Sequence, residues 1–160
     1  MHHLRKILVA AALASSAAAL AACTDGAPGS VGSGGSGTTT IDVSLTAFAP
    51  TITSPGVSAG YAPAQLSVPL GTQIRFVNTD SFAHTASAVN GTAFPPSSPL
   101  TASALTPSAS GRSLSGGGWS SGNLAAGAAS PVFVADTPGT YLFGCFYHYG
   151  APMRGSIVVR

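Results

Sequence analysis

The sequence predicts an all-β sandwich of short antiparallel strands. Twenty glycines and 12 prolines interrupt the 160 residues at short intervals, which limits the length of any regular element. Charged residues make up only 6 %, with no glutamate and a single lysine, so the usual surface residues of helices are missing. Between the breaks, apolar and polar residues alternate, as in strands with one buried face. A chain of this length is expected to form one domain.

The first 22 residues are predicted to be a lipoprotein signal peptide. Arg5 and Lys6 precede an apolar run over residues 7–20, which is shorter than a membrane-spanning helix. The run ends in Leu-Ala-Ala-Cys, which resembles the lipobox of bacterial lipoproteins and implies cleavage before a lipidated Cys23. The alternative is an ordinary small-residue cleavage site at residues 19–21. The resemblance predicts export and a lipid anchor facing the periplasm or cell exterior, and Thr24 favours the outer membrane in a Gram-negative cell.

The mature chain is predicted to begin with a tether. After Cys23, residues 24–40 (TDGAPGSVGSGGSGTTT) are small, polar and glycine-rich, a composition that cannot bury a core. We therefore divide the sequence into a signal peptide (1–22), a lipidated cysteine with a flexible tether (23–40) and a folded domain (41–160).

Strands are predicted from residue 41 onward. The segment IDVSL at 41–45 alternates apolar and polar residues, and QLSV at 65–68 repeats the pattern. The remaining predicted strands lie at residues 73–77, 132–134, 140–143 and 156–159. Repeated short strands with Gly and Pro between them favour an antiparallel sandwich over parallel α/β units. Residues 89–130 have little periodicity, and we expect a mobile surface excursion around one irregular strand or turn.

Charge excludes several functions. Without the signal peptide, four arginines balance four aspartates, so there is no basic surface for a nucleic acid. Neither a Ser-His-Asp set nor a pair of catalytic carboxylates can be assembled with any specificity from so few acidic residues. The sequence therefore predicts a protein that does not bind nucleic acid and is not an enzyme.

Four side chains carry the chemistry of the predicted mature chain. Cys145, His148 and Met153 form the pattern C-x2-H-x4-M between two predicted strands, and His84 follows an upstream strand. One thiolate, two imidazoles and a weak axial thioether are the ligands of blue-copper electron-transfer sites. Zinc is the alternative metal, but structural zinc sites generally close with four stronger ligands. A lone thiol in an oxidising compartment also favours a bound metal.

The sequence resembles the plastocyanin and amicyanin branch of the cupredoxins. The similar stretches are residues 61–68, 71–84 (GTQIRFVNTDSFAH), 119–124 and 137–159, the last with the TPGTY turn and the Cys-His-Met loop. The resemblance implies a Greek-key β-sandwich of about eight strands and a single copper ion that alternates between Cu(I) and Cu(II). It implies ligation by the imidazoles of His84 and His148, the thiolate of Cys145 and, axially, Met153. Family members often carry Asn where this chain has Thr85, so the tuning of the copper potential by that position is open.

The predicted function is shuttling of single electrons between a donor and an acceptor redox protein. The multicopper enzymes flank the thiolate cysteine with a second-site histidine, whereas this chain has Gly144 and Phe146 there. The alternative functions are a copper-binding module for metal delivery or sensing, and a metal-free sandwich with a structural role. We expect a monomer.

The predicted docking surface for partners is a rim of small and apolar residues beside His148. Its members are Ala83, Gly150, Ala151 and Pro152. At least half of the nearby aromatic residues, which are Phe82, Phe146, Tyr147 and Tyr149, are expected in the core. Because net charge is low, electrostatic steering is expected to be weak. Arg154 is the candidate for a docking charge, with a simply solvated side chain as the alternative.

Overall fold

Eleven short strands make up most of the regular structure in residues 37–160, which are the residues that this computed structural model describes. The strands are β1 (Thr38–Val43), β2 (Thr51–Thr53), β3 (Gly56–Ser58), β4 (Tyr61–Ala62), β5 (Gln65–Val68), β6 (Gln73–Asn78), β7 (Ser87–Val89), β8 (Arg112–Ser113), β9 (Phe133–Val134), β10 (Gly139–Gly144) and β11 (Arg154–Val159). A short 3₁₀ helix spans Ala102–Leu105. The predicted signal peptide, Cys23 and most of the predicted tether lie outside the described residues.

The strands form two main sheets. One sheet has the order β4-β1-β6-β9-β8 and the other β5-β11-β10-β7, while β2 and β3 form a separate hairpin. Buried apolar residues of both sheets belong to one core, which joins Ile41 and Phe76 of the first sheet to Phe143 and Ile157 of the second. The predicted all-β sandwich is confirmed. The structure has eleven strands rather than about eight. Six of them are only two or three residues long, and counting these short pieces separately raises the number.

The pairing is mixed rather than purely antiparallel. Strand β1 runs parallel to β6, with Thr38 opposite Gln73 and Val43 opposite Asn78, and β5 runs parallel to β11. The expectation of an antiparallel sandwich was wrong in this respect. Seven of the ten connections between consecutive strands lead to a different sheet, so several strands that become neighbours are far apart in sequence and can run in the same direction.

The predicted strands are largely confirmed, with shifted ends. Strand β5 has the predicted bounds, whereas β1 begins three residues earlier than expected and ends two earlier. In β6 the side chains of Ile74, Phe76 and Asn78 are buried and those between them are more exposed, as the alternation requires. The hairpin of β2 and β3 and the short strands β4 and β7 were not predicted, and β8 lies within residues 89–130, where one irregular strand or turn was expected.

Aromatic rings fill the centre of the sandwich. The ring centroid of Phe76 lies 5.1 Å from that of Phe143 across the two sheets, and 6.1 Å from those of Trp119 and Phe133. Phe76, Phe133 and Phe143 have no solvent-exposed surface. Burying this much aromatic surface is a large stabilising contribution for a domain with few charged residues.

The segment over residues 89–130 is more than a surface excursion. It supplies Leu114, Trp119 and Leu124, each at most 3 % exposed, to the core. Its backbone also pairs with the strand-end residue His84, through two hydrogen bonds with Leu124. The sequence did not predict this packing, because the buried apolar residues of the segment are spaced irregularly along loops and form no helical or strand pattern.

In the described part of the chain, no helix has the length and apolar character needed to cross a membrane.

Candidate metal centre

Three potential metal ligands converge at one end of the sandwich. The sulfur of Cys145 lies 3.8 Å from Nδ1 of His84 and 3.7 Å from Nδ1 of His148. One ligand atom from each of the three residues lies within 4.8 Å of the others. His84 comes from the segment after β6, and Cys145 and His148 come from the loop between β10 and β11. The fold therefore brings together residues 61 positions apart in the sequence.

The two separations between sulfur and nitrogen match those of a trigonal metal site. Metal bonds of about 2.0 Å to imidazole nitrogen and about 2.3 Å to thiolate sulfur are typical of zinc sites. At an angle of 120°, such bonds separate nitrogen and sulfur by about 3.7 Å, and the two observed separations are 3.7 and 3.8 Å. A thiolate with two imidazoles is also a donor set that copper accepts in both oxidation states. The residues present therefore fit a copper ion.

His84 is held by its backbone and by its ring. Its N–H donates to the carbonyl of Leu124 at 3.1 Å and its carbonyl accepts from the N–H of Leu124 at 2.8 Å. The ring is fully buried, and its Nε2 lies 3.2 Å from Oδ2 of Asp80. With Nε2 protonated and donating to this carboxylate, the lone pair of Nδ1 faces the sulfur of Cys145.

Asp80 is a residue of this site that the sequence analysis missed. Its carboxylate also accepts hydrogen bonds from the backbone N–H groups of Leu45, Thr46 and Ser81. Burial raises the pKa of Asp80, but the hydrogen bonds from His84, Ser81 and Thr46 outweigh it and lower the pKa to about 2. The spacing of four residues between Asp80 and His84 was the available signal, but an aspartate at that distance from a histidine is common.

Backbone hydrogen bonds close the loop between β10 and β11. The N–H of Cys145 donates to the carbonyl of Met153 at 2.9 Å, and the N–H of Met153 donates to the carbonyl of His148 at 3.1 Å. Cys145 and Met153 are fully buried, so the loop encloses both sulfur atoms. These backbone hydrogen bonds tie the two ends of the loop together.

Thr85 connects the two halves of the site. Its hydroxyl oxygen accepts a hydrogen bond from the N–H of Phe146 at 2.9 Å, and its own N–H lies 3.5 Å from the sulfur of Cys145. The hydroxyl of Tyr61 donates to the carbonyl of Thr85 at 2.5 Å. A threonine therefore ties the segment of His84 to the cysteine loop.

The exposed side of the site is an apolar rim around His148. Gly150 and Ala151 are exposed as predicted, while Ala83 and Pro152 are half-buried. Two aromatic rings extend this rim, with Phe82 38 % and Tyr147 44 % exposed. The half-buried imidazole of His148 lies among them, and burial, followed by the nearby His84, lowers its pKa. Tyr149 is buried and Phe146 half-buried, as expected for packing residues.

Arg154 has partners within the protein. Its Nε donates to the carbonyl of Val57 at 3.0 Å and its Nη1 to the carbonyl of Pro95 at 3.1 Å. The guanidinium group also lies over the rings of Phe94 and Tyr149, at 5.3 and 5.0 Å from their centroids. These contacts make it a link between loops rather than the freely solvated side chain that was the alternative, and its role as a docking charge stays a prediction.

Comparison with known proteins identifies relatives of this domain. The profile of the family described as copper binding proteins, plastocyanin/azurin family, matches residues 51–160. A purple cupredoxin from Nitrosopumilus maritimus is similar in structure with a TM-score of 0.47 and 19 % identity, over 76 % of this chain and 98 % of that one. The oxidised plastocyanin of Dryopteris crassirhizoma gives a TM-score of 0.46 and 20 % identity, over 76 % of this chain and 100 % of its own. A reduced amicyanin variant gives a TM-score of 0.41 and 20 % identity, over 62 % of this chain and 72 % of its own. Comparison with curated proteins gave no match.

Proposed function

The chain belongs to the plastocyanin/azurin family of copper-binding proteins, and we propose that it carries single electrons through one copper site. The imidazoles of His84 and His148, the thiolate of Cys145 and the thioether of Met153 would hold the ion. The observation that carries the proposal is the convergence of one sulfur and two imidazole nitrogens within 4.8 Å of one another.

The residues around the site favour electron transfer because they hold the donor atoms in place. When bound, copper supplies a one-electron couple between Cu(I) and Cu(II). Asp80 orients the ring of His84, and Thr85 ties the cysteine loop to the strand-end segment. Buried ligands with fixed partners change position little when the charge at the site changes, which keeps the cost of reorganisation low.

Redox partners approach through the rim around His148. Its exposed members are Phe82, Tyr147, Gly150 and Ala151. These apolar groups exclude water when a partner docks, and the imidazole edge of His148 then lies close to the partner's cofactor. The donor and the acceptor are redox proteins, and the carrier acts as a monomer that does not catalyse a reaction on a substrate.

The carrier works outside the cytoplasm, attached to a membrane through a lipid on Cys23. The support is the signal-like N-terminal sequence, its charged start and the cysteine that follows Leu-Ala-Ala. Intact-mass analysis of protein from the membrane fraction is expected to show a mature chain that starts at Cys23 and carries a diacylglyceryl group. An unmodified N-terminus, or a chain released in soluble form, contradicts the anchor.

Optical titration of the full chain with copper tests the site. We expect one equivalent of Cu(II) to produce an intense visible band from charge transfer between thiolate and copper, and one electron to abolish it reversibly. The chain contains two cysteines, which provides a matched pair of variants. Cys145→Ser is expected to lose the band and Cys23→Ser to keep it. Absence of the band in the wild-type protein, or rapid transfer of copper to a chelator with negligible electron exchange, overturns the proposal.

A further inference from the structure

Gly60 lies directly against the side chain of Met153. A Cβ atom placed on Gly60 would lie 2.6 Å from Cγ, 3.1 Å from Cε and 3.3 Å from Sδ of Met153. Two carbon atoms that are not bonded to each other cannot lie 2.6 Å apart. The side chain of Met153 can therefore occupy its present position only because residue 60 has no side chain. These three methionine atoms are the nearest neighbours of that Cβ position.

The backbone of Gly60 cannot easily move away. Its N–H donates to the carbonyl of Phe48 at 3.1 Å, and its carbonyl accepts from the N–H of Ser44 at 3.0 Å. The preceding residue, Ala59, donates its N–H to the carbonyl of Pro152 at 3.1 Å. The φ angle of Gly60 is +72°, a left-handed conformation that favours glycine. Three hydrogen bonds to two segments, residues 44–48 and the metal loop at Pro152, therefore hold the backbone at Gly60 in place.

The backbone of Met153 is fixed as well. Its N–H and carbonyl are hydrogen-bonded to His148 and Cys145, and its side chain is fully buried. When both backbones are fixed, a larger side chain at residue 60 can be accommodated only by rotation of the Met153 side chain, which moves its sulfur. The position of that sulfur is thus determined from outside the loop that carries it.

We propose that Gly60 is a positioning residue that sets where the thioether sulfur of Met153 lies relative to His84, Cys145 and His148. The inference rests on the proposed function, in which Met153 is the axial ligand. Because the axial ligand tunes the potential of a blue-copper site, the absence of a side chain at residue 60 contributes to the potential of this carrier. Gly60 lies in neither of the two ligand segments, and the site residue that its Cβ position would meet is Met153.

The variant Gly60→Ala tests this role, with Gly127→Ala as its matched control. The φ angle of Gly127 is +73°, close to that of Gly60, but a Cβ atom there would meet nothing within 4 Å. Both variants therefore place a side chain at nearly the same left-handed φ angle, and only one of them displaces Met153. In the copper-loaded protein we expect Gly60→Ala to shift the midpoint potential and change the relative intensities of the thiolate-to-copper bands. Gly127→Ala is expected to leave both unchanged.

The variant Met153→Ala completes a double-mutant cycle. Alanine has no atoms beyond Cβ, so adding Gly60→Ala to Met153→Ala is expected to cause no further change in the spectrum. In the metal-free protein the same cycle, measured by urea unfolding, is expected to give effects that are not additive, because the two residues touch. The inference is overturned if Gly60→Ala has the spectrum and potential of the wild type. It is also overturned if adding Gly60→Ala to Met153→Ala shifts the spectrum as much as Gly60→Ala shifts that of the wild type.

Two further outcomes are decisive. If Gly60→Ala does not fold, recovery of a folded protein in the double variant supports the inference, and failure to recover overturns it. If the wild-type protein forms no thiolate-to-copper band, the proposed function fails. The cycle in the metal-free protein then still decides whether Gly60 fixes the side chain of Met153.

Discussion

The carboxylate of Asp80 lies 3.2 Å from Nε2 of His84, while Nδ1 of the same ring faces the sulfur of Cys145 at 3.8 Å. One ring nitrogen is thus used for orientation and the other is free to bind a metal. Carboxylate partners of metal-binding histidines fix the orientation of the ring and increase its basicity. Because Asp80 is itself held by backbone N–H groups of residues 45 and 46, the direction of the imidazole is built into the fold.

Replacing the carboxylate of Asp80 is expected to weaken copper binding. Asp80→Asn keeps the size of the side chain but removes its charge, and loss of such a partner typically lowers metal affinity about 10- to 100-fold. Competition with a chelator of known affinity measures the effect. The matched control is Asp42→Asn, which removes the same charge from β1 and is expected to retain wild-type affinity. Equal affinities of wild type and Asp80→Asn would contradict a positioning role.

The hydroxyl of Thr85 is expected to stabilise the cysteine loop. In Thr85→Val the part-buried N–H of Phe146 loses its acceptor. Because an unpaired, fully buried donor costs about 1–3 kcal/mol, we expect a loss toward the lower end of that range. Urea unfolding of the metal-free protein measures the loss. Thr85→Ser retains the hydroxyl and is expected to be closer to wild type than Thr85→Val. The opposite order of stability would show that packing by the methyl group matters more than the hydrogen bond.

Truncation of Phe76 is expected to be among the most damaging changes to the core. Its ring contacts aromatic residues of both sheets, and Phe→Ala substitutions in cores cost about 3–5 kcal/mol. The control is Ile52→Ala in the β2–β3 hairpin, where the side chain is 88 % exposed, and its effect is expected to stay within about 0.5 kcal/mol. A difference of less than 1 kcal/mol between the two variants, measured by urea unfolding, would place the stabilising contacts elsewhere.

Stability is expected to decrease at acidic pH partly through Asp136. Hydrogen bonds from the hydroxyls of Ser113 and Ser115, in that order, lower the pKa of Asp136 in the folded protein. A lowered pKa means that the unfolded chain binds the proton more tightly, so this stabilisation is present above about pH 4 and is lost as the pH falls further. Unfolding of the metal-free protein is measured between neutral and acidic pH. Asp136→Asn is expected to flatten the dependence, and an unchanged slope would exclude this contribution.

Electron self-exchange is expected to depend weakly on ionic strength. The described residues carry four arginines and three aspartates, and the rim around His148 consists of uncharged residues. With little net charge, the encounter of an oxidised and a reduced molecule gains or loses little from screening by salt. NMR line broadening of mixed samples at low and high salt measures the exchange rate. A steep change with salt would show that charged groups contribute to the contact surface.

The amino-acid sequence by itself determined the class of the fold and the chemical type of the site. Alternation of apolar and polar residues is a local signal, so β5 was predicted with its observed bounds and β1 and β6 were found with shifted ends. The spacing of Cys145, His148 and Met153 along one short loop is equally local, and so was visible in the sequence.

Only the tertiary structure decided how distant segments meet. The parallel pairing of β1 with β6, the packing of Trp119, the hydrogen bond from His84 to Asp80 and the contact of Gly60 with Met153 were not predicted. The last of these joins residues on separate segments that are close only because several backbone hydrogen bonds hold both of them at the same end of the sandwich. Such contacts depend on the path of the chain between the sheets, which no local pattern of residue types encodes.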